Sequence, residues 1–120
     1  MQLTEIIHEL SLARLTPTLG AAEAADVTRG YASDLLSDVL ANAPAGGVLV
    51  TVQAHLNVVA VAVHAGLAGV VFASGRVPEA EVVARAADER MPLFGSDAAT
   101  FDIVGRLYAL GVRGPMARGT

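Results

Sequence analysis

GVLVTVQAHLNVVAVAVHAG, residues 47–66, decides the architecture. Val48 to Val52 is a continuous apolar run of strand length, the pattern of a strand buried on both faces. Val58 to Ala65 alternates Val and Ala, and by propensity alone would pass for a second strand. Two considerations make it a helix. A parallel strand pair needs a crossover connection, and Gly66 sits where a C-cap glycine belongs. Between the two elements, Gln53, His55 and Asn57 stand at alternate positions. Polar groups wedged between apolar elements must find partners, because unpaired buried polar groups are costly.

Downstream, the same grammar repeats. Gly69 to Ser74 reads as the next buried strand. Pro78 to Glu89 reads as a helix with Pro78 in its first turn and Val82, Val83 and Ala86 turned inward. Met91 to Phe94 is a short strand. Ser96 or Asp97 is placed to cap a last helix, with Phe101, Val104, Leu107, Tyr108 and Leu110 inside and Gly111 closing it. Upstream, Ser33 opens a helix with Asp34 in its first turn and Leu35, Leu36, Val39 and Leu40 on one face, and residues 42–47 stop it. The first third is less regular. Thr4 caps a short helix through Leu10, without a capping box. Leu12 to Leu15 and Val27 to Tyr31 are short strands. Thr16 to Gly20 is a turn, and Ala21 to Asp26 is open between helix and loop. The order strand–helix–strand–helix–strand–helix predicts an α/β layered sandwich with a mainly parallel sheet and right-handed crossovers.

Composition narrows the chemistry. At 120 residues the chain makes one domain, expected over residues 1–113, with 114–120 as a flexible tail. The apolar fraction is 53% and the aromatic fraction 4%, so the core must be built from Val, Ala, Leu and Ile. Cysteine is absent, which excludes disulfides, thiolate chemistry and cysteine-ligated metals. Lysine is absent too, which excludes Schiff-base catalysis and a P-loop lysine. The arginines are scattered and net charge is −4, so no nucleic-acid partner is expected. The N-terminus carries acids and no basic region, and the longest apolar stretch contains His64, Gly66 and Gly69. We expect neither a signal peptide nor a membrane span, and a cytoplasmic location.

In an open parallel sheet, ligands bind beyond the carboxyl ends of the strands. Three turns leave strands there, at 53–57, 74–76 and 95–100, each feeding a helix N-terminus. The candidate ligand-binding residues are Gln53, His55, Asn57, Gly75, Arg76, Ser96 and Asp97. Helix N-termini and Arg76 suit an anion. The same residues also read as caps: Asn57, Ser96 and Asp97 are ordinary N-cap types, and Gln53 and His55 can satisfy backbone groups. Both readings stand at this point. No second His or carboxylate lies at ligand spacing from His55, so neither catalytic nor metal-ligating residues are assigned. Asp34 and Asp38 read as a solvated or N-terminal charge pair, His64 as a helix-end residue and His8 as solvated.

Residues 30–43, 50–62 and 105–108 resemble, in order, the small single-domain DRTGG-domain proteins. The resemblance implies a fold like the N-terminal domain of HPr kinase/phosphorylase and a regulatory or assembly role, often through dimerisation. The Asp-Arg pair of multidomain members falls here on Ala54 and His55. Their Thr-Gly-Gly falls on Ala73, Ser74 and Gly75, so only the last glycine is kept. The resemblance therefore does not carry over a ligand read by that Asp-Arg pair. Without a Walker A motif or a lysine, kinase chemistry of the HPr kinase type is excluded.

The expectation is a non-catalytic regulatory or binding domain acting as a homodimer, with a small-anion or nucleotide site at the carboxyl edge. Helix 33–43 or helix 98–110 is expected to contribute to the dimer, because an apolar excess in a small domain leaves a patch to cover. The ligand would be a nucleotide or phosphorylated small molecule; no cofactor is assigned. The alternative is a small hydrolase or transferase using His55, which requires Asp34 or Asp97 within hydrogen-bond reach of that ring.

Overall fold

The computed structural model describes residues 1–116. Five strands form one sheet: β1 (Ala13–Arg14), β2 (Gly30–Ala32), β3 (Val48–Thr51), β4 (Gly69–Phe72) and β5 (Leu93–Gly95). Their order is β1-β5-β4-β3-β2; β2 to β5 are parallel and β1 pairs antiparallel with β5. The mainly parallel α/β layering expected from the sequence is what the chain adopts.

The topology dictates the layers. From β2 to β5 the strands are added in one direction, so right-handed crossovers place all connecting helices on the same face. These helices are α2 (Leu36–Asn42), α3 (Asn57–His64) and α4 (Ala80–Asp88). Their buried residues Val39, Val58, Val59, Ala62, Val82 and Ala86 pack on Leu49, Val70, Phe72 and Leu93 of the sheet. The opposite face has no crossover to cover it. It is covered from the two ends of the described chain, by α1 (Leu3–Glu9) and α5 (Thr100–Ala109). Leu3, Ile6, Ile103 and Leu107 meet Val48, Val50, Val71 and Phe94 there. Consecutive strand residues thus point to opposite faces and both faces are dry, which is why the strands read as unbroken apolar runs.

Several local readings are corrected. Helix α1 starts at Leu3, with Gln2 rather than Thr4 as N-cap, and the Glu5 carboxylate accepts from the Gln2 N–H (3.1 Å) in a capping-box bond. The open segment after Gly20 is a 3₁₀ turn over Gly20–Ala24. Helix α2 begins at Leu36, not Ser33, and Leu35 is its N-cap. Of its expected face, Val39 is buried but Leu35 and Leu40 are exposed. Helix α4 begins at Ala80, so Pro78 precedes the N-cap Glu79 instead of lying in the first turn. Helix α5 is rotated relative to expectation: Ile103 and Leu107 face the core, whereas Phe101, Val104 and Tyr108 are exposed. This helix is apolar on two sides, and periodicity alone picked the side with the larger side chains.

Candidate functional site

The polar alternation after β3 has a structural account. Thr51 is buried, and its Oγ1 donates to Asp34 Oδ1 (3.0 Å) and accepts from the Gln53 N–H (3.0 Å). Gln53 Oε1 accepts from the His55 N–H (3.2 Å), and His55 Nδ1 accepts from the Asn57 N–H (3.1 Å). Each side chain thus satisfies the backbone N–H two residues on, which carries the chain from strand end to helix start. Asn57 is the first residue of α3, not its cap. One orphan N–H at that end, that of Asn57, is met by His55. Among the described residues, no buried side-chain polar atom lacks a partner.

Asp34 leaves the expected first turn of α2 and reaches across to β3, where Oδ1 also accepts from the Val52 N–H (2.8 Å). Its neighbour Asp38 accepts from the Tyr31 hydroxyl (2.9 Å) and from Asn42 Nδ2 (2.8 Å). The bonds from Asn42 and Tyr31 hold the Asp38 carboxyl below its usual range. The carboxylate in turn raises the Tyr31 phenol.

The turns after β4 and β5 are zipped to one another. The Ser74 N–H donates to Ala98 O (2.8 Å) and the Gly75 N–H to Ser96 O (2.9 Å), while Ser96 Oγ accepts from the Ala98 N–H (3.1 Å). Neither Ser96 nor Asp97 caps α5: its N-cap is Ala99, which contributes no side-chain bond. Gly75 has φ +70°, and a Cβ there would lie 3.3 Å from Asp97 Oδ1. Left-handed backbone and close approach both favour glycine at that position.

Three parallel neighbours lead the turns that carry the seven candidate residues off the same edge, but only five of the seven line a cleft, and those five divide between two. Gly75, Arg76, Ser96 and Asp97 line one of about 370 Å³, together with Ser11 and Arg106. His55 lines the other, of about 390 Å³, with Pro78, Glu79 and Glu81. Gln53 and Asn57 line neither. The base–carboxylate pair required by the hydrolase or transferase alternative is not assembled among the described residues. His55 Nδ1 accepts from backbone, Asp34 accepts from Thr51 and Val52, and Asp97 lines the other cleft. A third cavity, of about 230 Å³, lies along the edge strand β2, between Tyr31, Val104, Leu107 and Tyr108.

Arg106 is the residue that sequence reasoning missed. Arg14 and Arg85 form ion pairs, and Arg29, Arg90 and Arg113 donate to backbone carbonyls. Among the described residues Arg76 and Arg106 do neither, and both line the same cleft. Only the topology joins a turn after β4 to the middle of α5, so no local signal could have paired them. Among the described residues no group of three or more His, Asp or Glu side chains could hold a metal ion. None of their helices is long and apolar enough to cross a membrane.

No protein-family model matches the chain, and no curated protein does. The fold is similar to a solved structure, the CBS and DRTGG domains of the regulatory region of Clostridium perfringens pyrophosphatase, complexed with its activator diadenosine tetraphosphate. The TM-score is 0.71 over 88% of this chain, at 12% identity. The chain spans 45% of the length of that one. The fold is DRTGG-like.

Proposed function

We propose that the chain is a non-catalytic regulatory module, a cytoplasmic homodimer, that binds a nucleotide or phosphorylated small molecule in the cleft lined by Arg76. Residues 1–113 form the DRTGG-like unit in this reading. The single observation that carries it is the convergence of Arg76 and Arg106, the two partnerless arginines among the described residues, on one cleft. A guanidinium presents five donors in a planar fork that matches phosphate oxygens. Among the described residues Asp97 is the one carboxylate that lines this cleft beside the two arginines. Ser96 adds a hydroxyl, and the N-terminus of α5 has no side-chain cap to compete with a ligand. By contrast the N-terminus of α3 is already occupied by His55, which argues against Gln53, His55 and Asn57 as ligand contacts. That a protein of similar fold belongs to a regulatory region complexed with a dinucleoside tetraphosphate supports the ligand class by analogy of fold alone.

The test is a thermal-shift screen of the full chain against nucleotides and phosphorylated metabolites, repeated on Arg76→Ala. A ligand of this site raises the melting temperature of the wild type and not of the variant, while the two unliganded proteins melt alike. If Arg76→Ala responds to every hit as the wild type does, the cleft is not the site.

A further inference from the structure

Helix α5 shows solvent a second apolar side. Phe101 is 87% exposed, Tyr108 58% and Val104 37%, and they recur one turn apart. Gly105 interrupts the stripe, and a Cβ there would meet nothing within 4 Å. The result is a shallow notch between Phe101 and Ala109. Asp102 and Arg106 border the same surface one helical turn apart, and neither forms an ion pair among the described residues.

We propose that this side of α5 is a docking surface for a second copy of the chain, met antiparallel by the same helix about a two-fold axis near Val104 and Gly105. The proposal rests on the homodimer reading above and names its surface. In an antiparallel pairing, residues equidistant from the centre lie opposite one another. Phe101 then meets Tyr108 of the second copy, Val104 fills the notch over Gly105, and Asp102 lies beside Arg106, each contact occurring twice. The charge order selects this arrangement. Asp102 and Arg106 lie to one side of the stripe, so a parallel pairing of the two helices would send them to opposite flanks of the interface and leave both unpaired. A partner of one charge sign would match Asp102 or Arg106 but not both. A second copy matches both, because the two-fold axis reverses their order. The aromatic residues supply the apolar area, and the missing side chain at Gly105 lets the helices approach.

Sedimentation of the full chain without ligand tests this by charge exchange. Asp102→Arg or Arg106→Asp alone should weaken the dimer by about tenfold or more, and the double exchange should restore it to within about threefold of wild type. Both positions are exposed, and circular dichroism melts verify that each variant is folded. A wild-type monomer at tens of micromolar would overturn the homodimer reading and this surface together. A dimer indifferent to the single exchanges would overturn the surface alone. Weakening without rescue in the double variant would overturn the antiparallel register.

Discussion

Glu23 is 2% exposed, and its carboxylate is held between the Arg14 guanidinium and the Leu19 N–H, with Oε2 2.9 Å from that nitrogen. The contact ties the edge strand β1 to the 3₁₀ turn that follows it in the chain. Burial works to raise this carboxyl, but the bonds from Arg14 and Leu19 together outweigh it and hold it below its ordinary 4.5. A carboxyl lowered in the native state contributes stability that is full above the unfolded value and is lost as pH falls through the native one. Glu23→Gln keeps the shape and removes the charge. It should cost about 1–3 kcal/mol at neutral pH, discounted because Arg14 is partly solvated. The gap in urea midpoint between variant and wild type at about pH 7 should narrow at acid pH, as the carboxylate is neutralised on passing below its lowered native pKa. A gap that stays constant down to the acid unfolding limit would show that the loss is packing, not charge.

The Tyr31 phenol, bonded to Asp38, should titrate above its ordinary 10.0. Replacing Asp38 with Asn removes the carboxylate and should bring the phenol back down toward that value, as read by ultraviolet difference titration. An unchanged titration would mean that the hydroxyl and carboxylate are apart in solution.

His55, one residue before the N-cap Leu56, and not Asn57, brings a side-chain acceptor to the start of α3. His55→Ala should therefore lower stability by about 1 kcal/mol, the usual scale of a lost cap. Asn57→Ala should be neutral or slightly stabilising, because alanine is the better helix former at a position whose side chain caps nothing. Chemical denaturation of the two variants gives the ranking directly, and the reverse order would refute the assignment.

Arg106→Ala should weaken any ligand that Arg76→Ala weakens, by about 1–3 kcal/mol for each lost charged hydrogen bond. If the two guanidiniums grip one group, a double-mutant cycle by calorimetry should give less than the sum of the single effects. Strict additivity would assign them to independent contacts.

How much of this could be read from the sequence differs by element. The segment from β3 through α3 to β4 was legible because its strands are buried on both faces and Gly66 closes its helix with φ +69°. The start of α2 was not. Ser33 and Asp34 are ideal capping types, but Asp34 finds better donors on Thr51 and Val52, a tertiary partnership that overrides the local one. The cap of α3 was misread because histidine is not an expected acceptor in that role. The three turns that carry the seven candidate residues leave neighbouring parallel strands, as the strand order in the sequence implied. The separation of His55 from the cleft of Gly75, Arg76, Ser96 and Asp97 goes with the way the turns after β4 and β5 bond to each other, which no spacing along the chain encodes.

The segment from Ala25 to Gly30 is gripped from both directions. The Leu3 N–H donates to Ala25 O and the Val27 N–H to Met1 O, while the Arg113 N–H donates to Thr28 O and the Gly30 N–H to Arg113 O. A stretch near the beginning of the described chain is thus completed by residues near its end, with the three crossover units in between. Contacts of such sequence separation require large loops to close before they add stability, so they form late and slow the search. During synthesis β2 can pair with β3 early, but its bonds to Arg113 form only after α5 has emerged.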